Sequence, residues 1–248
     1  MSKVQELMQA LLEHDWINLT HDVTPTIPIY HTFNPMSFNV ISKFDEGGVD
    51  SREYIIGTSH GTHIDAPKHF GGPTKRSLED IPLKERILPL YVLHLEDKVA
   101  ENPGYAVTVQ DILDFEAEYG EIPVGSFVAF SSKWYPRFGD VAAFENKDEA
   151  GVEHTPGWSV PALEFLSRER KVTAIGHETL NTDSGVEAAE AGFLVAEDYW
   201  LREDKYQVEL MANLDQLPAV GGVIFVTVPH IDEAPGFPAE VFAVVPRA

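Results

Sequence analysis

The segment His60-Gly-Thr-His-Ile-Asp-Ala-Pro-Lys-His69 gathers three histidines and one aspartate within ten residues. Imidazole nitrogens and carboxylate oxygens are ligands that suit zinc, manganese or ferrous iron. His63 and Asp65 are two residues apart, so in an extended strand their side chains point to the same side. Pro67 fixes the chain before His69, which can then stand over a substrate rather than on the metal. We interpret this segment as the centre of a metal site.

Composition narrows the class of protein. The chain has 248 residues, of which 44% are hydrophobic and 23% charged, as is usual for a globular protein. It has no cysteine, which excludes disulfides, thiolate metal ligands and a cysteine nucleophile. The formal net charge of −22 disfavours nucleic acids and anionic membranes as partners, because their phosphates would repel it. With no visible signal peptide or membrane-length apolar run, we predict a cytoplasmic protein that acts on a small molecule.

Hydrophobic periodicity predicts a mixture of helices and strands. Helical spacing occurs at residues 2–13, 109–119, 160–170 and 196–214. Strand-like runs occur at residues 16–20, 54–56, 88–95, 126–131, 172–176, 222–228 and 239–245. Residues 23–37 are predicted to form a functional loop, and residues 136–157 a surface excursion. Because the helices and strands do not strictly alternate, we predict an α/β or α+β layered fold, with residues 1–248 as one domain.

The residues from Gly61 to His69 resemble a known family. They match the pattern Gly-Thr-His-x-Asp-x-Pro-x-His of the cyclase family of metal-dependent hydrolases. The resemblance extends over nearly the whole chain, through segments at residues 16–22, 122–130, 175–183 and 209–217. It implies a single layered β/β/α (swivelling-type) cyclase-like domain with an N-terminal helix or arm. It also implies a homo-oligomer, a homodimer or homotetramer.

The same resemblance implies roles for individual residues. His63 and Asp65 would be metal ligands, and Glu209 would be a further ligand carried by a C-terminal helix. His69 would be the general acid/base. The reaction would be hydrolysis of an amide or another carbon–nitrogen bond outside peptides, as in an arylformamidase or a cyclic amidase, with metal-bound hydroxide as the nucleophile.

Two positions depart from the family pattern. The family's first ligand histidine is expected at position 59, where this chain has Ser59 followed by His60. Adjacent residues face opposite ways in a strand, so His60 could replace that ligand only in a turn. A second family histidine is replaced by Glu197, which is either a harder oxygen ligand or a solvated helix carboxylate. We therefore expect one ion per chain, Mn or Zn, with manganese supporting activity at least as well as zinc.

Four other residues are candidates for contact with the substrate. His31 lies in the loop that resembles the family's substrate loop. Phe33 and Trp134 could wall a pocket for a flat ring, although such aromatic residues are also ordinary core residues. His177 could stand behind the metal ligands or be a hydrogen-bonded core histidine.

Two other functions stay open at this point. Without the expected histidines, the chain could be a non-catalytic relative that binds a metabolite or serves as a scaffold. It could also be a lyase or isomerase that uses the metal to stabilise an enolate. Metal content separates the first alternative from an enzyme, and incorporation of solvent oxygen into the product separates the second from a hydrolase.

Overall fold

The computed structural model describes residues 2–247 as a mixed α/β fold. Its strands are β1 (Asp15–Asn18), β2 (Ser37–Ser42), β3 (Ser51–Ile55), β4 (His63–Asp65), β5 (Ile87–His94), β6 (Ala106–Val107), β7 (Phe127–Ser131), β8 (Gly157–Trp158), β9 (Ala174–His177), β10 (Tyr206–Glu209), β11 (Gly222–Thr227), β12 (Gly236–Pro238) and β13 (Glu240–Val245). Its helices are α1 (Lys3–Leu12), α2 (Phe44–Gly47), α3 (Lys68–Gly71), α4 (Glu96–Glu101), α5 (Val109–Tyr119), α6 (Val141–Glu145), α7 (Val160–Glu164), α8 (Gly185–Ala191) and α9 (Val195–Arg202). No helix within these residues is both long and apolar enough to span a bilayer.

A nine-stranded sheet organises the molecule, in the order β1-β13-β11-β5-β7-β9-β10-β4-β12. The four central strands β5, β7, β9 and β10 run parallel, and the strands on either side pair antiparallel. Two two-stranded sheets, β2 with β3 and β6 with β8, lie outside it. The mixed α/β prediction is therefore confirmed.

The two faces of the sheet bury separate cores. Along β7, Phe127 and Ala129 pack into one core, whereas Val128 and Phe130 pack into the other. The first core is enclosed mainly by strands, because the sheet curls so that residues of β4, β11 and β13 meet those of β5 and β7. The second core lies under helices α5, α7 and α9. A parallel strand covered on both faces is expected to be continuously hydrophobic, as β7 is.

One predicted element is wrong, and the error bears on the site. The helix predicted over residues 196–214 ends at Arg202, and the chain turns through Asp204 in the left-handed region (φ 61°). Residues 206–209 then form β10, so Glu209 lies at the end of a strand and not on a helix. The alternation explains this, because Tyr206 and Val208 point into the strand-enclosed core while Gln207 and Glu209 point to the other side.

Two further differences are local. The helix predicted over residues 160–170 is α7 followed by a π-helical turn at Phe165–Glu169. The stretch at residues 136–157 is less of a surface excursion than predicted, because it contains α6 with a buried Phe144. The helix predicted over residues 109–119 is confirmed as α5, which begins at the capping residue Thr108 and ends at Gly120.

Candidate metal centre and active site

Strand pairing brings the motif residues together. β4 pairs antiparallel with β10, so that His63 lies opposite Glu209 and Asp65 lies opposite Gln207. Directly opposed residues on one face of a sheet are close enough for their side chains to touch. The other edge of β4 is covered by β12, where Gly236 opposes Asp65. A side chain at Gly236 would come within 2.6 Å of the Asp65 Oδ1 atom, so this strand approaches the site at its glycine.

His63 is buried between two carboxylates. Its Nδ1 atom lies 2.8 Å from the carbonyl oxygen of Gly61 and therefore donates a hydrogen bond to it. Its Nε2 atom lies 3.3 Å from Asp65 Oδ2 and 3.3 Å from Glu209 Oε2. Burial opposes a charge on this imidazole, but the two carboxylates outweigh it and raise the pKa of His63 well above its usual value.

Three buried carboxylates lie close together in this site, those of Asp65, Glu197 and Glu209. The pKa of Glu197 is raised well above its usual value, because the side chain is buried and Glu209 and Asp65 are negatively charged neighbours. The pKa of Asp65 is lowered, because the charge of His63 outweighs the effect of burial. The Gln207 amide donates to Glu209 Oε1 at 2.9 Å, whereas Asp65 Oδ1 has no hydrogen-bond partner. So many buried like charges need a cation among them.

The donor atoms fit a divalent metal ion. One ligand atom from each of His63, Asp65 and Glu209 lies within 4.8 Å of the others, and all three residues are buried. With Nδ1 committed to a carbonyl, the Nε2 atom of His63 offers its lone pair toward the two carboxylates. A second set of Asp65, His69 and Glu197 meets the same distance limit and shares Asp65 with the first. Nitrogen and carboxylate ligands of this kind suit Mn²⁺ or Zn²⁺.

His69 stands at the edge of this group. It lies on α3 just after Pro67, and 29% of its side chain is exposed. Its Nε2 atom is 3.8 Å from Glu197 Oε1, longer than a hydrogen bond. The imidazole therefore remains available to a molecule in the adjoining cavity.

A cavity of about 310 Å³ opens onto these residues, and we call it the inner cavity. Asp65, Glu197, Glu209 and His69 lie on its wall. The other lining residues are mainly aromatic and apolar: Tyr30, Thr32, Phe33, Ser59, Phe70, Leu180, Asn181 and Leu194. A mostly apolar cleft with a few convergent polar groups is the usual form of a small-molecule site.

Ser59 and His60, which stand where the family has its first ligand histidine, lie in different surroundings. Ser59 lines the inner cavity, but its neighbour His60 faces away from it and is fully buried. The Nε2 atom of His60 lies 2.9 Å from the carbonyl oxygen of Asn34, and its ring packs edge-on against Phe33. His60 belongs to neither group of candidate ligands and instead holds the loop that carries Phe33.

Of the four residues predicted to contact the substrate, only Phe33 lines the inner cavity. His31 lines a neighbouring cavity. Trp134 lines neither: it is 1% exposed, and its indole N–H donates to the carbonyl of Phe144 at 3.0 Å. A pocket-wall role for Trp134 is therefore not supported by its position. His177 is fully buried, with Nε2 3.4 Å from Glu209 Oε1, and so stands behind the ligand rather than against the substrate.

Sequence reasoning missed residues that orient the carboxylates. Asp183 accepts hydrogen bonds from the backbone N–H groups of Ala196 and Glu197 at 2.8 and 3.0 Å, and so fixes the first turn of α9. Thr182 donates to the Gln207 amide oxygen at 2.7 Å, which turns the amide N–H toward Glu209. Asp183 stands 14 residues before Glu197, so no local spacing signals this contact.

Comparison with known proteins agrees with this geometry. The sequence model of the Cyclase family, described as "Putative cyclase", matches residues 17–184. The isatin hydrolase of Roseibium aggregatum is 32% identical over 197 residues, which are 78% of this chain and 74% of that protein. The kynurenine formamidase of Geobacillus thermodenitrificans is 34% identical over 83 residues, 33% of this chain and 39% of that protein.

Solved structures show the same relationship in three dimensions. An isatin hydrolase bound to the product analogue thioisatinate matches with a TM-score of 0.92 at 29% identity, over 100% of both chains. Isatin hydrolase A from Ralstonia solanacearum matches with a TM-score of 0.90 at 31% identity, over 99% of this chain and 98% of that one. The matching sequence, the shared fold and the ligand geometry of β4 and β10 lead to one conclusion: this chain belongs to the cyclase family of metal-dependent hydrolases.

Proposed function

We propose that this chain opens the amide bond of a small ring-containing molecule, using one divalent metal ion held by His63, Asp65 and Glu209. The observation that carries the proposal is the orientation of His63. Its Nδ1 atom donates to Gly61, so its Nε2 lone pair faces two buried carboxylates at the wall of a cavity. That arrangement is unfavourable without a proton or a cation between the three groups.

The chain's own residues divide the remaining work. When bound, the metal ion would supply Lewis acidity and a water molecule with a pKa lowered to roughly 7. His69, partly exposed at the cavity wall, takes a proton from the attacking water and delivers it to the leaving nitrogen. The Gln207 amide holds Glu209 in position, and the backbone of α9, fixed by Asp183, holds Glu197.

The ligand set supports one oxygen-rich site. Ser59 stands on the cavity wall where the family has its first ligand histidine, and Glu197 supplies a carboxylate in place of another. Each replacement removes a borderline-soft nitrogen, and the donors that remain are mostly carboxylate oxygens, which favour harder ions. We propose one ion per chain, with manganese at least as effective as zinc.

The substrate class follows from the cavity and from the relatives. Tyr30, Phe33 and Phe70 give the inner cavity aromatic walls, which favour a flat ring. Two relatives bear the names isatin hydrolase and kynurenine formamidase. We therefore propose a cyclic amide fused to an aromatic ring, or an N-formyl aryl amide, as the substrate.

We further propose that the active form is a homodimer or homotetramer. The β2–β3 hairpin stands outside the main sheet, and a two-stranded hairpin is marginally stable by itself. Its outward side chains include Ile41, Phe44 and Ile55, which are 64%, 68% and 59% exposed. Exposed apolar surface of this kind is typical of a contact between subunits. Light scattering coupled to size exclusion should give a mass of at least two chains, and a monomer at micromolar concentration would refute this proposal.

The decisive experiment measures metal and turnover on the same sample. The purified chain is loaded with Mn²⁺ and assayed with isatin, N-formylaniline and a simple lactone. His63→Ala should lose both the metal and the activity, whereas His230→Ala, at an exposed position, should keep both. A metal-loaded wild type that binds but never hydrolyses these compounds would favour a non-catalytic relative. Product without ¹⁸O from labelled water would favour a lyase or isomerase.

A further inference from the structure

A second cavity, of about 420 Å³, adjoins the inner cavity, and we call it the outer chamber. Four residues form the wall between the two and line both: Tyr30, Phe70, Asn181 and Leu194. The remaining lining of the outer chamber consists of His31, residues 150–153, Gly185, Ala188, Ala189, Gly192 and Phe193. The two cavities therefore meet at these four residues.

The outer chamber has the walls of a ring-binding site. On one side, Tyr30 and His31 lie with their ring centroids 4.3 Å apart, and on another Phe70 and Phe193 lie 5.9 Å apart. Small residues line another part of the chamber: Gly185, Ala188 and Ala189 of α8, Gly192 directly after it, and Ala150 and Gly151. Aromatic rings beside small residues favour a planar group.

The volumes of the two cavities also favour a binding site that extends beyond the inner cavity. Pockets for drug-sized ligands occupy roughly 300–1,000 Å³, and the inner cavity by itself stands at the lower end of that range. A compact bicyclic substrate would be contained in the inner cavity and would leave the outer chamber to solvent. The chain thus presents more aromatic binding surface than a compact substrate uses.

We infer that the outer chamber is a specificity subsite that binds an aryl extension of the substrate, so that the preferred substrates are aryl-substituted amides larger than one bicyclic ring. This inference rests on the proposed hydrolysis in the inner cavity. The scissile amide stays beside His69 and the metal ligands, and the extension passes between Tyr30 and Phe70. Asn181 adds a polar residue to the boundary that the two cavities share.

Two residues of α8 allow a matched test. Ala189 is exposed and lines the outer chamber, whereas Ala191 is exposed on the same helix but lies outside the lining. Two positions apart on a helix, their side chains point in nearly opposite directions. Ala189→Trp should fill the chamber, and Ala191→Trp adds the same bulk elsewhere.

The probes are isatin as the compact amide and N-benzylisatin and 5-phenylisatin as extended ones. Wild-type protein should show at least a tenfold lower KM for one extended probe than for isatin. Ala189→Trp should reduce the ratio of kcat/KM for that probe to kcat/KM for isatin at least tenfold, and Ala191→Trp should leave it within twofold. An unchanged ratio in Ala189→Trp, or isatin preferred by the wild type, overturns the subsite.

Calorimetric binding of the same compounds separates this inference from the proposed function. If the wild type binds an extended probe more tightly and Ala189→Trp abolishes that preference while no compound is hydrolysed, the chamber stands and the proposed hydrolysis fails. If the compounds are hydrolysed without any preference, the reverse holds. The oligomeric mass of Ala189→Trp should equal that of the wild type, and a lower mass would show that the chamber is a contact between subunits instead.

Discussion

Replacing Glu197 by glutamine should stabilise the metal-free protein while it weakens metal binding. Glu197 is buried, and its pKa is raised well above the usual value of about 4.5 by burial and by the charges of Glu209 and Asp65. Its oxygen and an oxygen of Asp65 lie within 4.8 Å, where two unit charges repel by roughly 3.5 kcal/mol at an effective dielectric constant of about 20. Glutamine keeps the shape of the side chain and removes this charge.

The sign of the pH dependence follows from the raised pKa. The folded metal-free state holds the proton of Glu197 more tightly than the unfolded chain does, so its stability falls as the pH rises from about 4.5 toward the raised pKa. Each pH unit in that window costs about 1.4 kcal/mol. The cost is therefore larger at pH 7 than at pH 5.

Thermal unfolding in the presence of a chelator measures this effect. A gain of about 2–3 kcal/mol should raise the Tm of metal-free Glu197→Gln by roughly 5–10 °C at pH 7, since 1 kcal/mol shifts the Tm of a large domain by about 2–4 °C. The gain should be much smaller at pH 5, and added Mn²⁺ should stabilise the variant less than the wild type. Glu190→Gln, at an exposed position, is the control and should change nothing. A lower Tm for metal-free Glu197→Gln at pH 7, or an equal gain at both pH values, would refute the reasoning.

Two other predictions test the neighbours of the ligands. His69→Ala should retain its metal by elemental analysis and lose kcat by about 10²- to 10⁴-fold, because only the proton transfer is removed; loss of the metal would show that His69 is a ligand. Gly236→Ala should weaken Mn²⁺ binding at least tenfold in a calorimetric titration, because the new methyl group would lie 2.6 Å from Asp65 Oδ1 and displace it. Gly139→Ala, where nothing lies within 4 Å, should bind Mn²⁺ as the wild type does, and equal affinity of the two variants would contradict the role given to Asp65.

The ligands on β4 could be predicted because neighbouring residues in the sequence are enough to indicate them. His63 and Asp65 lie on one short strand, and their spacing of two residues already places both side chains on one side. The family resemblance added Glu209, which no spacing relates to β4. It also suggested a helix there, and the structure replaced that helix with β10, whose pairing opposite His63 brings the carboxylate to the imidazole.

The second half depends on contacts between distant segments. Gly236 closes the far edge of β4, and Asp183 fixes the start of α9, but neither residue has a local pattern that indicates this role. The sequence allows Trp134 either to wall a pocket or to fill the core, and the structure encloses its indole in the helix-covered core. The sequence does not distinguish an aromatic residue that lines a cavity from one that fills a core, because burial of its apolar area is favourable in both environments.

Titration of the metal-free protein with Mn²⁺, with hydrolysis of isatin followed at each addition, tests the central claim most directly. If His63, Asp65 and Glu209 hold the one ion that hydrolysis requires, activity should rise linearly and become constant at one Mn²⁺ per chain. The same titration of His63→Ala should give no activity at any ratio. Full activity in the chelated wild type, or a rise that continues to two ions per chain, would contradict the account.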